Sequence, residues 1–154
     1  MKKLLILSDT HGNLDAIDKL KCIMKGADYI IHLGDYYRDM DYYEEEFGDK
    51  IYRVKGNCDG GGKEIELRIE GLKVLALHGD RYGVKYSLTN LKLFAKEQKA
   101  DVVLFGHTHY PTIEKEDGII FINPGNMTKY SNPSYCFAII NGDRITAKTV
   151  YLYE

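Results

Sequence analysis

Four of the five histidines in this 154-residue chain lie in short polar motifs. His11 ends the motif Asp-Thr-His, His78 begins His-Gly, and His107 and His109 form Gly-His-Thr-His. Residues i and i+2 of an extended chain point to the same side, so such a pair can converge on one centre. Imidazole and carboxylate groups brought together in this way are typical metal ligands.

Further candidate ligands stand at the ends of predicted strands. Five apolar segments each deliver a carboxylate, amide or imidazole at or just past the carboxyl end, the edge where open α/β sheets bind ligands. The seven candidate metal ligands are Asp9, His11, Asp35, Asn57, His78, His107 and His109. One divalent ion does not need seven such ligands, so they predict two ions that share a bridging carboxylate.

The charge balance of such a site favours phosphate chemistry. Two divalent ions exceed the two negative charges of Asp9 and Asp35, and the surplus favours a bridging hydroxide and a phosphate oxygen. Two ions ~3.5–4 Å apart suit in-line displacement at phosphorus and lower the pKa of bound water towards ~7. The mixed nitrogen and oxygen donors favour Mn2+, with Ni2+, Fe2+, Zn2+ and Mg2+ as alternatives.

The elements that must position these residues follow an α/β pattern. The first half alternates strands and helices and the second half is rich in hairpins, which predicts mixed sheets. Strands are predicted at 3–7, 28–35, 50–57 and 101–107, helices at 13–25 and 87–100, and a short polar helix or loop at 36–48. Hairpin turns are predicted at Glu70-Gly71, Asp117-Gly118 and Asn141-Gly142.

Composition indicates one globular domain over residues 1–154, with 44% hydrophobic and 29% charged residues. A net charge of -2 argues against binding of long nucleic acids, and no apolar run reaches the ~20 residues of a membrane span.

An odd number of cysteines without Cys-x-x-Cys spacing predicts a cytoplasmic protein. Cys22 and Cys136 are expected in the core, as is a hydrogen-bonded His32. An apolar, tyrosine-rich surface would permit a homodimer.

In order along the chain, these motifs resemble those of the calcineurin-like metallophosphoesterases. Gly-Asn-Cys-Asp at 56–59 is similar to the small YfcE-type phosphodiesterase branch, and Asn-Pro-Gly-Asn at 123–126 resembles a later family element. The resemblance implies a four-layer αββα sandwich with a dinuclear site at one edge. It implies that one metal is held by Asp9, His11 and His109 and the other by Asn57, His78 and His107, with Asp35 bridging them.

The implied activity is hydrolysis of small phosphodiesters or nucleotide-like substrates by in-line attack of a metal-bridging hydroxide. Asp35, Asn57 and His107 are assigned to catalysis as well as to metal binding. Three alternatives stay open: a phosphomonoesterase or nucleotide phosphatase on the same site, a non-catalytic scaffold like the family's retromer subunit, and a nuclease for short oligonucleotides.

One departure from the family pattern bears on the leaving group. Many relatives carry a histidine that protonates the leaving oxygen at the position of Cys58. A thiol with a pKa of ~8.5 is a poor proton donor to an alkoxide, so activated or aryl diesters are the expected substrates. Asp59 is a candidate for orienting Cys58 or a metal-bound water. Tyr36, Arg38 and Arg81 are candidates for substrate binding.

Overall fold

The computed structural model describes residues 1–153, which form two five-stranded sheets packed face to face. The strands are β1 (Lys2–Leu7), β2 (Tyr29–His32), β3 (Ile51–Arg53), β4 (Ile65–Ile69), β5 (Leu72–Ala76), β6 (Val102–Leu104), β7 (Thr112–Glu116), β8 (Ile119–Asn123), β9 (Ser134–Asn141) and β10 (Arg144–Tyr151). The first sheet has the order β10-β9-β1-β2-β3, and the second has the order β4-β5-β6-β8-β7.

Both sheets are mixed, as the sequence predicts. In the first sheet β1, β2 and β3 are parallel, and β9 and β10 add an antiparallel hairpin. In the second sheet β5, β6 and β8 are parallel between antiparallel edge strands. Two hairpin turns lie at the predicted Glu70-Gly71 and Asp117-Gly118. The last turn is centred one residue later than predicted, because Asn141 still pairs with Arg144.

Alternate side chains of the central strands feed two different cores, because successive strand residues point to opposite faces. Leu4 and Ile6 of β1 pack between the sheets, whereas Leu5 and Leu7 pack against the helices on the outer face. The second sheet divides its side chains between the central core and a helix in the same way. The predicted four-layer αββα sandwich is therefore confirmed.

The helices that cover the sheets are short. The α-helices are α1 (Leu14–Asp18), α2 (Lys21–Gly26), α3 (Glu44–Phe47) and α4 (Thr89–Glu97), and 3-10 helices span Tyr37–Tyr43, Gly48–Lys50, Asn57–Asp59 and Asp80–Tyr82. The single helix predicted at 13–25 is wrong. It is interrupted at Lys19 and Leu20, although no glycine or proline marks the break. Within residues 1–153, no helix has the length and apolar character needed to cross a membrane.

The two cysteines expected in the core have different environments. Cys136 on β9 is fully buried, as predicted. Cys22 is exposed, so that prediction is wrong. Residues two apart in an α-helix point to roughly opposite sides. Met24 faces the core, and Cys22 on the same helix α2 therefore faces solvent.

Three strands end earlier than predicted, which places candidate ligands beyond the sheets. β2 ends at His32 instead of residue 35, β3 at Arg53 instead of residue 57, and β6 at Leu104 instead of residue 107. Asp35 and Asn57 are therefore held by loop geometry beyond the sheet, not by the strand ladder. This freedom allows their side chains to turn towards ligands delivered by other strands.

His32 anchors these loops from within the core, as expected for a hydrogen-bonded core histidine. The Gly34 N–H donates to His32 Nδ1 at 3.0 Å, so the ring proton lies on Nε2 and is donated to Thr10 Oγ1 at 3.0 Å. The Thr10 hydroxyl in turn donates to the Asp39 carboxylate at 2.6 Å. Complete burial lowers the pKa of His32 to about 4 and keeps the ring neutral.

We predict that His32 makes the fold sensitive to acid. Its pKa of about 4 in the folded protein lies below the ordinary value of 6.5, so its contribution is complete above pH 6.5 and is lost as the pH falls towards 4. That loss is about 3 kcal/mol at pH 4. Urea unfolding in chelator from pH 7 to 4 should show a shallower decline for His32→Asn, which keeps an acceptor for Gly34. Parallel pH curves for the two proteins would contradict this role.

Candidate metal centre

The loops at the carboxyl ends of both sheets bring the seven candidate ligands to one edge of the sandwich. Asp9, Asp35 and Asn57 come from the first sheet, and His78 and His107 from the second. The donor atoms of six of them fall into two groups, in each of which the atoms lie within 4.8 Å of one another, and the seventh, Asn57, places its Oδ1 3.0 Å from His78 Nε2. The groups consist of Asp9, His11 and His109, and of Asp35, His78 and His107.

In the first group, one oxygen of the Asp9 carboxylate bonds to neighbouring protein groups and the other faces the candidate metal site. Its Oδ2 accepts hydrogen bonds from the Ser8 hydroxyl at 2.5 Å and from the His107 N–H at 3.3 Å. Its Oδ1 is left to face His109 Nε2 at 3.2 Å. Because Asp9 is fully buried, this oxygen needs a hydrogen-bond donor or a cation beside it.

His11 supplies the clearest sign that this group of donors suits a cation. Its Nε2 is a buried polar atom that has no hydrogen-bond partner among residues 1–153. It lies 3.9 Å from Asp9 Oδ1 and 3.9 Å from Asp35 Oδ2, beyond hydrogen-bond distance of either. A buried nitrogen left unpaired between two carboxylates fits an ion that all three would ligate.

The second group is organised around His78. Its Nδ1 donates to the Leu33 carbonyl at 2.7 Å, so a neutral ring directs the Nε2 lone pair into the site. That nitrogen faces Asn57 Oδ1 at 3.0 Å, His107 Nδ1 at 3.2 Å and Asp35 Oδ2 at 3.5 Å. Each of these contacts needs a proton or a cation between the facing atoms, so this cluster also fits a bound cation.

The pKa shifts of three candidate ligands also indicate that the site favours positive charge. Burial lowers the pKa of His78, but the nearby Asp35 and Asp9 carboxylates outweigh burial and raise it overall. Burial raises the pKa of Asp35, but hydrogen bonds from His78 and the Cys58 amide outweigh burial and lower it overall. The pKa of His107 is lowered by burial and by His78. These donors therefore fit divalent metal ions, which replace the proton as the positive charge.

Asp35 lies between the two groups. Its Oδ1 accepts the Cys58 N–H at 2.9 Å. Its Oδ2 lies 3.9 Å from His11 Nε2 in the first group and 3.5 Å from His78 Nε2 in the second. One oxygen of this carboxylate is thus fixed by the backbone, and the other adjoins both sets of ligands.

The site loops hold backbone conformations that L-residues rarely adopt. Positive φ angles occur at Asp9, His11, Asp35, His107 and His109, with values from 43° to 70°. Such strained conformations persist only where the surrounding structure enforces them, and they concentrate at functional sites. This backbone strain is independent support for a functional role of the loops.

Asp59 enforces part of this geometry. Its two oxygens accept the backbone N–H groups of Asp35 at 2.8 Å, Tyr36 at 2.9 Å and Gly56 at 2.9 Å. The carboxylate is thus engaged with the backbone of two loops, and its recorded partners do not include the Cys58 thiol. It positions Asp35 and Asn57 relative to one another.

Sequence reasoning missed several residues that support the ligands. Asn123 donates to the Gly106 carbonyl at 3.1 Å and to Thr108 Oγ1 at 2.9 Å, and Asn126 donates to the His109 carbonyl at 3.1 Å. These amides hold the Gly-His-Thr-His loop. The Asn-Pro-Gly-Asn motif was the available signal, whereas nothing in the local sequence marks Ser8, Thr10 or Asp39 as supports.

A cleft of about 490 Å³ opens beside the first ligand group. It is lined by His11, Tyr36, Arg38, Cys58 and Asp59, which include two of the three predicted substrate contacts. The third, Arg81, is exposed on the 3-10 helix Asp80–Tyr82 and does not line this cleft. Burial, Asp35 and the other nearby carboxylates raise the pKa of Cys58, so its thiol stays protonated at neutral pH.

We predict that Gly34→Ala removes metal binding. Gly34 has φ +103°, and an added Cβ would lie 2.6 Å from Gly56 N and 2.8 Å from His78 Nδ1. The variant should lose most of its bound metal and more than ~2 kcal/mol of unfolding free energy. Gly118→Ala is the matched control, because Gly118 also has positive φ but no atom within 4 Å. Elemental analysis and urea unfolding measure both effects; full metal content in Gly34→Ala would contradict the prediction.

The sequence and the fold both match known phosphoesterases. Residues 1–144 match the model of the calcineurin-like phosphoesterase superfamily domain. The chain is 32% identical to the probable metallophosphoesterase MG207 of Mycoplasma genitalium, over 100% of this chain and 97% of that protein. It is 28% identical to the phosphodiesterase YfcE of Escherichia coli, over 87% of this chain and 85% of that protein.

Solved structures agree with this assignment. An archaeal phosphodiesterase superposes with a TM-score of 0.78 at 25% identity, covering 96% of this chain and 99% of its own. Vacuolar protein sorting 29 of Cryptosporidium parvum superposes with a TM-score of 0.78 at 15% identity, covering 99% of this chain and 98% of its own, a likeness of fold. With a matching domain model, relatives along its whole length and a metal-competent site, the chain belongs to the calcineurin-like phosphoesterase superfamily.

Proposed function

We propose that the protein is a metal-dependent phosphodiesterase that hydrolyses small phosphodiesters at a centre of two divalent ions, Mn2+ being the first candidate. The observation that carries this proposal is the convergence of potential metal-ligand atoms on two adjacent points, with Asp35 Oδ2 beside both. The relatives named as phosphodiesterases support the choice of ester.

In this proposal Asp9, His11 and His109 hold one ion, and Asn57, His78 and His107 hold the other, with Asp35 shared. When bound, two such ions supply an acidified water and neutralise charge on the phosphate oxygens. The chain's own contribution is orientation: the Leu33 carbonyl fixes the tautomer of His78, and Ser8 fixes the rotamer of Asp9.

The groups lining the cleft determine which esters react fastest. Cys58 keeps its proton at neutral pH but gives it up reluctantly, since burial and nearby carboxylates raise its pKa. The Asp59 carboxylate is occupied by backbone N–H groups. The cleft therefore favours leaving groups that depart as stable anions, such as aryl oxides, over alkoxides that need a proton.

Two other functions use the same fold. A phosphomonoesterase would need efficient protonation of the leaving oxygen, which Cys58 does not favour. A scaffold like vacuolar protein sorting 29 would need no metal chemistry, and its likeness to this chain extends only to the fold. The filled set of seven candidate ligands favours an enzyme over a scaffold.

We propose the cytoplasm as the location of the protein. Its three cysteines are all free, and Cys22 and Cys58 are exposed. Exposed free thiols persist best in a reducing compartment.

The shared role of Asp35 is tested by Asp35→Asn. Loss of the charge between the two ligand groups should lower the metal content and reduce turnover of bis(p-nitrophenyl) phosphate by at least ~100-fold. Asp143→Asn, in the exposed turn between β9 and β10, is the matched control and should behave as wild type. Full metal and activity in Asp35→Asn would refute the shared role, whereas metal-loaded wild type without turnover of any ester would favour the scaffold.

The leaving-group preference is tested with aryl and alkyl diesters of graded leaving-group pKa. The wild-type rate should fall steeply as that pKa rises, and Cys58→His should flatten the dependence and gain activity on monoesters by about 10-fold or more. Cys22→His, which places an imidazole on an exposed helix position, should change neither. A flat wild-type profile under conditions where chemistry limits the rate would show that Cys58 does not set the preference.

A further inference from the structure

Arg38 is an exposed cation that lines the cleft beside the candidate metal ligands, and no side chain of residues 1–153 pairs with it. Its side chain lines the cleft together with His11 and Tyr36. A guanidinium has five N–H donors in a planar fork that matches carboxylate or phosphate. Among residues 1–153, no hydrogen bond or ion pair engages the Arg38 guanidinium, and the nearby acidic groups bond to other partners.

Three acidic residues that follow Arg38 in the sequence are bonded to other groups. Asp39 accepts the Thr10 hydroxyl at 2.6 Å and the Gly12 N–H at 2.8 Å. Asp41 and Glu44 both pair with Arg53, at 2.7 Å and 2.9 Å. The segment is rich in negative charge and yet leaves one guanidinium free, which suits an anion that comes from solution.

Asp59, the acidic residue that lines the cleft, does not pair with Arg38 either. Both of its oxygens accept backbone N–H groups, including those of Asp35 and Tyr36. Its charge is thus neutralised in part by the loop that it holds. The guanidinium of Arg38 keeps its donors for a ligand.

The backbone that carries Arg38 is held firmly. Arg53 donates to the Tyr37 carbonyl at 2.9 Å, and its guanidinium lies 5.4 Å from the centre of the Tyr37 ring. Tyr36 has φ 65° and its N–H is held by Asp59 at 2.9 Å. A cation on a preorganised backbone loses less entropy when it binds an anion.

We infer that Arg38 binds a second phosphate of the substrate, one carried by the organic arm of the diester and distinct from the phosphate that is cleaved. This inference rests on the proposed diesterase function and names its substrate class: small nucleotide-like diesters that bear an additional phosphomonoester. A cleft of about 490 Å³ is in the range of ~300–1,000 Å³ that holds whole small-molecule ligands. Tyr36, whose ring centre lies 5.0 Å from that of His11, offers an aromatic face to the arm between the two phosphates.

The test uses two substrates that differ in one group, the p-nitrophenyl ester of thymidine 5′-phosphate with and without a 3′-phosphate. Both have the same scissile bond and leaving group. The Mn2+-loaded wild type should show a kcat/KM about 10-fold or more higher on the 3′-phosphorylated ester. Arg38→Gln should lower kcat/KM on the 3′-phosphorylated ester about 10-fold more than on the ester without the 3′-phosphate, which removes the preference. Arg68→Gln, an exposed arginine on β4, is the matched control.

Binding supplies a second readout that does not need turnover. Calorimetry should show that wild type binds thymidine 3′,5′-bisphosphate about 10-fold tighter than thymidine 5′-phosphate. Arg38→Gln should bind the two nucleotides with equal affinity. Equal kcat/KM on both esters in wild type would overturn the inference. An equal loss on both in Arg38→Gln would place Arg38 on the scissile phosphate and also overturn it. Absence of turnover with the binding preference intact would overturn only the diesterase proposal.

Discussion

The structure depends on one electrostatic constraint: two buried carboxylates and several imidazole nitrogens direct lone pairs at the same small volume. Asp9 is fully buried and Asp35 nearly so, and no lysine or arginine among residues 1–153 pairs with either carboxylate. Burying such charges without compensation costs several kcal/mol, so the arrangement is stable only with protons or metal ions between the groups. The raised pKa of His78 and the unpaired Nε2 of His11 are two consequences of this shortage of positive charge.

The fold meets that constraint by holding the ligands through second partners. One oxygen of each aspartate is taken by a hydroxyl or a backbone N–H, and one nitrogen of His78 is taken by a carbonyl. The ligand atoms are thereby aimed before any ion arrives, which reduces the entropy lost on binding. The strained φ angles of the loops are the local cost of this arrangement, and the two close-packed sheets supply the rigidity that maintains it.

Fold alone does not assign a function, since vacuolar protein sorting 29 of Cryptosporidium parvum superposes on nearly the whole chain at 15% identity. Function depends on the donors at the sheet edge and on the walls of the cleft beside them. Of the charged residues that line the cleft, Asp59 is bonded to backbone N–H groups, whereas Arg38 has no partner within residues 1–153. An unpaired guanidinium in a cleft wall attracts anionic ligands.

Part of the fold and of the candidate site could be predicted from short sequence patterns. Continuous apolar runs marked the strands, turn residues marked the hairpins, and histidines and carboxylates past the strand ends marked the candidate ligands, because these signals act over a few residues. Only the tertiary structure decided the break at Leu20, the exposure of Cys22, and which oxygen of Asp35 faces both ligand groups. It also revealed Asp39, Asn123 and Asn126 as supports. These outcomes depend on contacts between residues distant in the chain, which no local pattern encodes.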